Sequence, residues 1–368
     1  MDGFAITNVA CVNSSTCAPE FSWKAELAAS FTRIEDLLDY LALSSHPRQG
    51  RGEAAGKFAF RVTRAFAARM RKGDPADPLL RQVLPAAEEL REWPGFLADP
   101  VGDLQAVAVP GLLHKYQGRA LLIATGACAI NCRYCFRREF PYADGHASRS
   151  REAQALAHIA NDASLREVIL SGGDPLVLDD ERLVKLVAGL SAIPHLVRLR
   201  IHSRLPVVLP ARVTPRLLQI LAATRLKPVL VIHANHANEF DAEVGQALAR
   251  LREAGVVLLN QSVLLRGVND RVDTLAELSE TLFAQGVLPY YLHLLDKAHG
   301  TGHFDTAEPD ALVLYEGLRR RLPGYLVPKL VRELAGEPYK TLVDNTTAID
   351  AGLSECASEG GLSISQVV

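Results

Sequence analysis

Residues 120–135 read ALLIATGACAINCRYC, an apolar run followed directly by three cysteines, Cys128, Cys132 and Cys135, in the spacing Cys-x-x-x-Cys-x-x-Cys. Thiolates bind soft metals, and three of them in one loop can hold three irons of a [4Fe-4S] cluster while the fourth iron stays open to a ligand. A structural zinc site would normally add a second Cys-x-x-Cys or a pair of histidines, and neither follows Cys135. The motif therefore favours an iron–sulfur site, with zinc as the alternative.

The composition is that of a globular protein with a large core. The chain has 368 residues, of which 48% are hydrophobic, and a formal net charge of -2. This charge does not favour nucleic acid as a partner. We recognise neither a secretory leader nor a long apolar run in the sequence, so a membrane is not expected as a partner either. Three further cysteines, Cys11, Cys17 and Cys356, are scattered near the ends. Free thiols suit a reducing compartment, which predicts a cytoplasmic location.

The sequence pattern changes near Asp103. Before it, apolar side chains recur at three- and four-residue spacing, as in segments 34–41 and 58–66, and predict amphipathic helices. After it, short apolar runs alternate with helical segments. The predicted strands are 120–125, 167–171, 197–203, 228–234, 256–262 and 288–294. This alternation predicts a parallel sheet with helices outside, as a barrel or as an open doubly wound sheet.

Residues that could take part in binding or catalysis follow these strands, at the ends where parallel sheets place their active sites. They are Cys128, Gly172, His202, His233, Gln261 and Asp296. We expect them to share one site. Two segments keep structural interpretations open, because Asp174 is also a typical helix cap and residues 233–239 can form a hydrogen-bond network as readily as a metal site.

Several motifs carry a resemblance to a known family. The cysteine loop continues as FRR at 136–138, and SGGD at 171–174, SRLPVVLP at 203–210, HANH at 233–236 and NQSVLLRGVND at 260–270 follow. Over residues 103–329 this pattern resembles the lysine 2,3-aminomutase family of radical S-adenosylmethionine (SAM) enzymes. The branch that helps to modify elongation factor P with β-lysine is similar in KGDP at 72–75, DPLLRQVLP at 77–85, REFPY at 138–142 and GYLVPKL at 324–330.

The resemblance implies an α/β fold, a partial (β/α)6 TIM-like barrel of residues 103–310. A helical N-terminal region, 1–102, precedes it and a short C-terminal segment, 311–368, follows. The implied enzyme is an isomerase that moves the 2-amino group of L-lysine to carbon 3, giving β-lysine for elongation factor P. The implied cofactors are a [4Fe-4S] cluster, SAM and pyridoxal 5′-phosphate (PLP). Its partners would be L-lysine, a one-electron reductant and the elongation factor P pathway, with no nucleic acid and no membrane.

The resemblance also implies roles for individual residues. Lys329 matches the lysine that holds PLP as a Schiff base between turnovers. The implied contacts of the PLP phosphate are Lys115, Tyr116 and Arg119. The implied SAM region consists of Ser171, Gly172, Gly173, Asp174, His233 and Gln261. For the substrate, Arg137 matches the residue that pairs with the carboxylate, and Asp296 matches the carboxylate that holds the ε-ammonium.

Two differences separate this chain from the enzymes that act on free lysine. Those enzymes carry a second aspartate seven residues before the PLP lysine, and Leu322 stands at that position here. Their tails also bind structural zinc through cysteines, where this chain has Cys356 alone. The alternatives are an aminomutase for arginine or glutamate, or a non-catalytic iron–sulfur or zinc protein.

Overall fold

The computed structural model describes residues 22–44, 50–142 and 149–344, so that Cys11, Cys17 and Cys356 lie outside the described residues. Its centre is one sheet of ten strands that lie side by side in chain order. They are β1 (Val107–Val109), β2 (Leu112–Tyr116), β3 (Arg119–Thr125), β4 (Glu167–Gly172), β5 (Arg198–Ser203), β6 (Lys227–Ile232), β7 (Val257–Val263), β8 (Leu288–His293), β9 (Lys329–Arg332) and β10 (Thr341–Leu342).

Strands β3 to β9 are parallel, and the edge strands β1, β2 and β10 are antiparallel to their neighbours. No pairing joins β1 to β10 among the described residues. The sheet is therefore a partial barrel, and the fold predicted from the sequence is confirmed. All six predicted strands are present, but β9, a seventh parallel strand, was missed together with β1, β2 and β10, because such short strands show too little alternation to be recognised.

A helix follows each strand from β3 to β8. These helices are Arg149–Asn161, Asp180–Ser191, Pro215–Ala223, Ala242–Glu253, Val272–Ala284 and Glu308–Arg321. Local side chains fix where they begin, since Asp179 accepts a hydrogen bond from the Arg182 amide at 2.8 Å and Asp241 accepts one from the Val244 amide at 2.9 Å. Within the described ranges, no helix is long and apolar enough to span a membrane.

The N-terminal region is helical, as expected. Its helices are Trp23–Ala28, Ile34–Tyr40, Arg51–Lys57, Arg64–Ala68 and Pro78–Arg81. Phe66 and Leu79 from this region belong to the same hydrophobic cluster as Leu199 of β5. A buried ion pair adds a polar link, because Arg133 of the cysteine loop donates to Glu89 at 2.6 Å. The helical region thus supports the end of the barrel that carries the cysteines.

Side chains of the parallel strands point alternately toward the helices and toward the barrel interior. On β5, Leu199 and Ile201 pack in the core with the helices, so that Arg200 and His202 face the interior. By the same alternation, other polar residues that face the interior are Arg119, Glu167, Ser171, Gln261, Tyr291 and His293, whereas Lys329 at the start of β9 is exposed. The interior is therefore rich in polar side chains, unlike the aliphatic core of a filled TIM barrel.

Replacing Leu79 with alanine should lower the free energy of unfolding by roughly 2–5 kcal/mol, because a fully buried leucine would leave a cavity. Urea unfolding followed by circular dichroism measures this loss. The matched control is Val313→Ala, since Val313 is 73% exposed and its truncation should change stability by less than about 0.5 kcal/mol. Equal effects of the two substitutions would contradict a core shared by the helical region and the barrel.

Candidate active site

The cysteine loop directly follows β3 and is held against the end of β4. The Gly173 amide donates to the Thr125 carbonyl at 2.7 Å, and the Asp174 amide donates to the Ala127 carbonyl at 2.8 Å. A Cβ atom on Gly173 would lie 2.3 Å from the Ala127 oxygen, and one on Gly172 would lie 2.3 Å from the Thr125 oxygen. The close approach of these two loops therefore requires both glycines.

The three cysteines of this loop are partly buried and form no disulfide. Burial raises the pKa of Cys128 well above its usual value and that of Cys135 to about 11. Arg204, just after β5, donates from Nη1 to Cys132 Sγ at 2.8 Å. In the described part of the chain, no three Cys, His, Asp or Glu side chains are grouped closely enough to hold one metal ion.

Three histidines lie at the carboxyl ends of parallel strands: His202 on β5, His233 just after β6 and His293 on β8. The Nε2 atom of each is buried and has no hydrogen-bond partner among the described residues. Burial lowers the pKa of all three, to about 3 for His233, so that the imidazoles are neutral at physiological pH. Buried polar nitrogens normally have partners, and these three therefore mark a space suited to a polar ligand.

A chain of ion pairs lines the same interior. Asp103 is the first link, with Arg137 Nε at 2.6 Å from one carboxylate oxygen and Lys115 Nζ at 2.6 Å from the other. Glu333 is the second link, with Lys115 Nζ at 2.8 Å and Lys340 Nζ at 2.5 Å. Burial alone would raise the pKa of both acids, but these cations outweigh burial and lower it. The two carboxylates are therefore shared among three cations.

Asp296 follows β8, and its pKa is influenced by the same charged groups. Burial, and after it the charge of Glu333, raises the pKa of Asp296 to about 7, although Lys340 and Lys115 act in the opposite direction. A carboxyl group in this position binds a proton near neutral pH unless a further cation joins it. A positively charged ligand would therefore favour the ionised form of Asp296 and could pair with it.

The structure brings Lys340 into the interior and leaves Lys329 outside it. Lys329 begins β9 at the level of Tyr291, and its side chain is exposed at the amino-terminal end of the barrel. Lys340 precedes β10, contacts Glu333 and, after burial itself, is the main cause of the lowered pKa of His293. The cysteines lie at the carboxyl ends of the strands, so Lys329 is at the wrong end of the barrel for the role that the sequence pattern implied.

The residues expected around the PLP phosphate come from β2 and β3. Lys115 is occupied by two carboxylates, and its pKa is raised because those charges outweigh the effect of burial. Arg119 lies with its guanidinium carbon 4.5 Å from the centroid of the Tyr116 ring. No carboxylate pairs with Arg119 among the described residues, so this cation can accept an anion without breaking an ion pair.

The residues expected around SAM divide into two groups. Asp174 is fully engaged by the protein, because it accepts hydrogen bonds from the amides of Leu176 at 3.1 Å and Arg204 at 2.8 Å. Its interpretation as a cap is therefore confirmed, and burial raises its pKa to about 6. Ser171 and Gln261, by contrast, face the interior from β4 and β7.

Residues 122–278 match the Radical SAM superfamily. The chain is 51% identical over 323 residues to the L-lysine 2,3-aminomutase of Escherichia coli (strain K12), covering 88% of this chain and 94% of that protein. The chain belongs to the lysine 2,3-aminomutase family. It is also 46% identical to the L-lysine 2,3-aminomutase of Haemophilus influenzae, covering 88% and 96% of the two chains, and 38% identical to that of Clostridium subterminale, covering 87% and 77%.

Membership of the lysine 2,3-aminomutase family identifies a radical SAM enzyme of the isomerase class, and it implies a [4Fe-4S] cluster and SAM. The residues present fit these groups. Three soft sulfur donors, Cys128, Cys132 and Cys135, are collected in one loop and are free of disulfides. The interior next to this loop holds buried imidazole nitrogens without partners, which suits a polar ligand.

Three residues of the interior were missed by sequence reasoning: Asp103, Glu333 and Lys340. Asp103 carries no motif and is recognisable only through its contacts with Arg137 and Lys115. Glu333 and Lys340 did leave a signal, because they are seven residues apart, which is the spacing that the resemblance implies between a carboxylate and the lysine of the site.

Replacing Gly173 with alanine should displace the cysteine loop, because the new Cβ would lie 2.3 Å from a backbone oxygen. Overpacking of this kind costs roughly 1–3 kcal/mol, and we expect a lower iron content after anaerobic reconstitution as well as a lower melting temperature. Iron analysis and thermal unfolding measure both effects. Gly52→Ala is the control, because no atom lies within 4 Å of a Cβ there. Full iron binding by G173A with unchanged stability would contradict the steric argument.

Proposed function

We propose that the chain is a PLP-dependent L-lysine 2,3-aminomutase that converts L-lysine to β-lysine. The observation that carries the proposal is the position of Lys340, whose amine lies in the polar interior beside Glu333. A lysine in this place can hold PLP within the barrel, whereas the exposed Lys329 lies at the other end of the strands. The proposal therefore assigns the PLP-binding role to Lys340 and withdraws it from Lys329.

The charges of L-lysine complement those of the interior. Arg137 would pair with the α-carboxylate, because a guanidinium can bind both carboxylate oxygens. Asp296 and Glu333 would together hold the ε-ammonium. Since Glu333 lies seven residues before Lys340, it occupies the position of the second aspartate in the free-lysine enzymes. Leu322 was expected to replace this aspartate only because it lies seven residues before Lys329. With Lys340 as the PLP lysine, that difference no longer exists.

Lysine would have to replace internal ion pairs when it binds. In the absence of ligand, Arg137 is paired with Asp103, and Glu333 is paired with two ammonium groups. A buried charge that loses its partner is costly, so a ligand must bring charges of the matching sign. A glutamate side chain would place a second anion beside Glu333 and Asp296, which favours lysine over glutamate as substrate.

The cofactors would occupy residues that surround this substrate site. When bound, the cluster with SAM would supply a radical and PLP would carry the migrating nitrogen. Cys128, Cys132 and Cys135 would hold the cluster. Arg119 and Tyr116 would contact the phosphate of PLP, and Lys115 would join them once Asp103 and Glu333 have gained other partners. The neutral imidazoles and the surrounding strands would position the ligands and exclude water.

We further propose that the β-lysine serves the modification of elongation factor P. Support comes from segments 72–85, 138–142 and 324–330, which are similar to the branch of the family that takes part in this modification. The reaction would start with an electron from a one-electron reductant. A reducing compartment such as the cytoplasm would keep the three thiols available for the cluster.

Mass spectrometry of the products tests the activity. Anaerobically reconstituted protein would be incubated with SAM, PLP, a strong reductant and, in parallel, lysine, arginine or glutamate. We expect β-lysine and 5′-deoxyadenosine together from lysine only. Deoxyadenosine with a β-amino acid formed from arginine or glutamate would overturn the substrate assignment, and neither product from iron-loaded protein would overturn the enzyme.

Replacing Lys340 with arginine should reduce β-lysine formation by roughly 10²-fold or more, because arginine keeps the charge but cannot hold PLP covalently. Lys329→Arg is the matched control and should retain nearly the full rate, since the Lys329 side chain is exposed. Initial rates measured with saturating PLP compare the two variants. A large loss in K329R with an active K340R would reverse the assignment.

Lysine binding should strengthen as the pH rises through about 7, because Asp296 must lose its proton to attract an ammonium group. Norleucine, which lacks the ε-ammonium, should not show this dependence. Calorimetric titration of the PLP-loaded protein with both amino acids measures the difference.

Asp296→Asn should remove the pH dependence of lysine binding and weaken it by roughly 1.5–3 kcal/mol, the range of a hydrogen bond to a charged group. Norleucine affinity should change little in this variant. A lysine affinity that D296N leaves intact would contradict the ammonium site.

A further inference from the structure

Arg204 connects the cysteine loop to a buried polar network. Its side chain is 6% exposed. Nη1 donates to Cys132 Sγ at 2.8 Å, while Nη2 donates to Gln82 Oε1 at 2.7 Å and to Glu239 Oε2 at 3.1 Å. The guanidinium thus lies between a sulfur atom of the cysteine loop and a carboxylate, with protein on every side.

Glu239 is fixed on the far side of Arg204. Its side chain is fully buried, and its other oxygen accepts hydrogen bonds from Gln82 Nε2 at 3.0 Å and from the Asn235 amide at 2.8 Å. Asn235 Nδ2 in turn donates to the Tyr134 hydroxyl at 2.7 Å. Both charges of the Arg204–Glu239 pair are therefore held at fixed positions, and neither can rotate into solvent.

We propose that Arg204 and Glu239 set the reduction potential of the cluster held by this loop, with Arg204 raising it and Glu239 limiting the increase. This role rests on the [4Fe-4S] cluster that family membership implies. Arg204 is proposed as a positioning and tuning residue, because it acts through its contact with a sulfur atom of the cysteine loop.

The sign of each effect follows from charge. When the cluster accepts one electron from a one-electron reductant, the cluster and its thiolates gain one unit of negative charge. A buried cation that donates a hydrogen bond to a ligand sulfur stabilises the reduced state more than the oxidised state, and so raises the potential. A buried carboxylate behind that cation has the opposite effect. Because both groups are shielded from water, their influence is weakly screened by salt.

A purely structural role predicts a different outcome. If Arg204 and Glu239 only joined the loop to the N-terminal region, removing either would loosen the same network and expose the cluster to solvent. Both substitutions would then shift the potential in the same direction. An electrostatic role requires shifts of opposite sign, and this difference allows the two roles to be separated.

The test is redox titration of anaerobically reconstituted protein, followed by electron paramagnetic resonance of the reduced cluster. Arg204→Gln should shift the midpoint potential to more negative values, and Glu239→Gln, which keeps the size of the side chain, should shift it to less negative values. Arg204→Lys retains a cation and should give a smaller negative shift than Arg204→Gln. It also provides a measurable variant if R204Q fails to retain its cluster.

Arg212→Gln is the control for removal of a buried arginine. Arg212 is fully buried and donates to the carbonyls of Leu176 at 2.6 Å and Leu178 at 3.2 Å, with no cysteine contact among the described residues, so R212Q should keep the wild-type potential. Equal potentials in wild type, R204Q and R204K, or shifts of the same sign in R204Q and E239Q, would overturn the inference. A wild-type chain that binds no iron would instead overturn the cluster itself.

Discussion

Lys115 joins two carboxylates that come from opposite sides of the opening in the barrel. Asp103 precedes β1 and Glu333 follows β9, and no backbone pairing links β1 to β10 among the described residues. The two segments touch nearby, since a Cβ on Gly102 would lie 2.9 Å from Cβ of Ala335. The partly buried ammonium group of Lys115 therefore links the parts of the partial barrel that the sheet leaves apart.

The same interaction determines the chemistry of the interior. Glu333 contacts Lys115 through one carboxylate oxygen, and the loop after β9 brings Lys340 to the other oxygen. Asp103 is likewise shared between Lys115 and Arg137. Buried ion pairs contribute little net stability but strongly disfavour unmatched charges. These carboxylates are thus paired without ligand, and the interior favours a ligand whose own cation and anion can take over the internal partners.

The fold and the cysteine loop could be predicted from sequence because both are local patterns. Strands such as β6 form continuous apolar runs, and Cys128, Cys132 and Cys135 are adjacent in the chain. The helix cap at Asp174 could be predicted for the same reason. The lysine that we propose to bind PLP could not be predicted, since Lys329 and Lys340 are close in sequence and only the direction of β9 separates them. A residue at the start of a strand and one in the loop beyond it lie at opposite ends of a barrel.

The ion pairs between distant parts of the chain could not be predicted from sequence patterns either, because they depend on how the strands are arranged. Lys115 meets Asp103 and Glu333 only after the sheet has curved, and no periodicity connects these positions. Arg204 and Glu239 are likewise brought together by the order of β5 and β6. Local periodicity predicts the elements, whereas charge partners depend on how those elements are arranged.

Identification of the residue that binds PLP tests this account most directly. The PLP-loaded wild-type protein would be treated with borohydride, digested and mapped by mass spectrometry. The account predicts a phosphopyridoxyl group on the peptide that contains Lys340. A group on the peptide that contains Lys329 would contradict the placement of the site at the carboxyl ends of the strands.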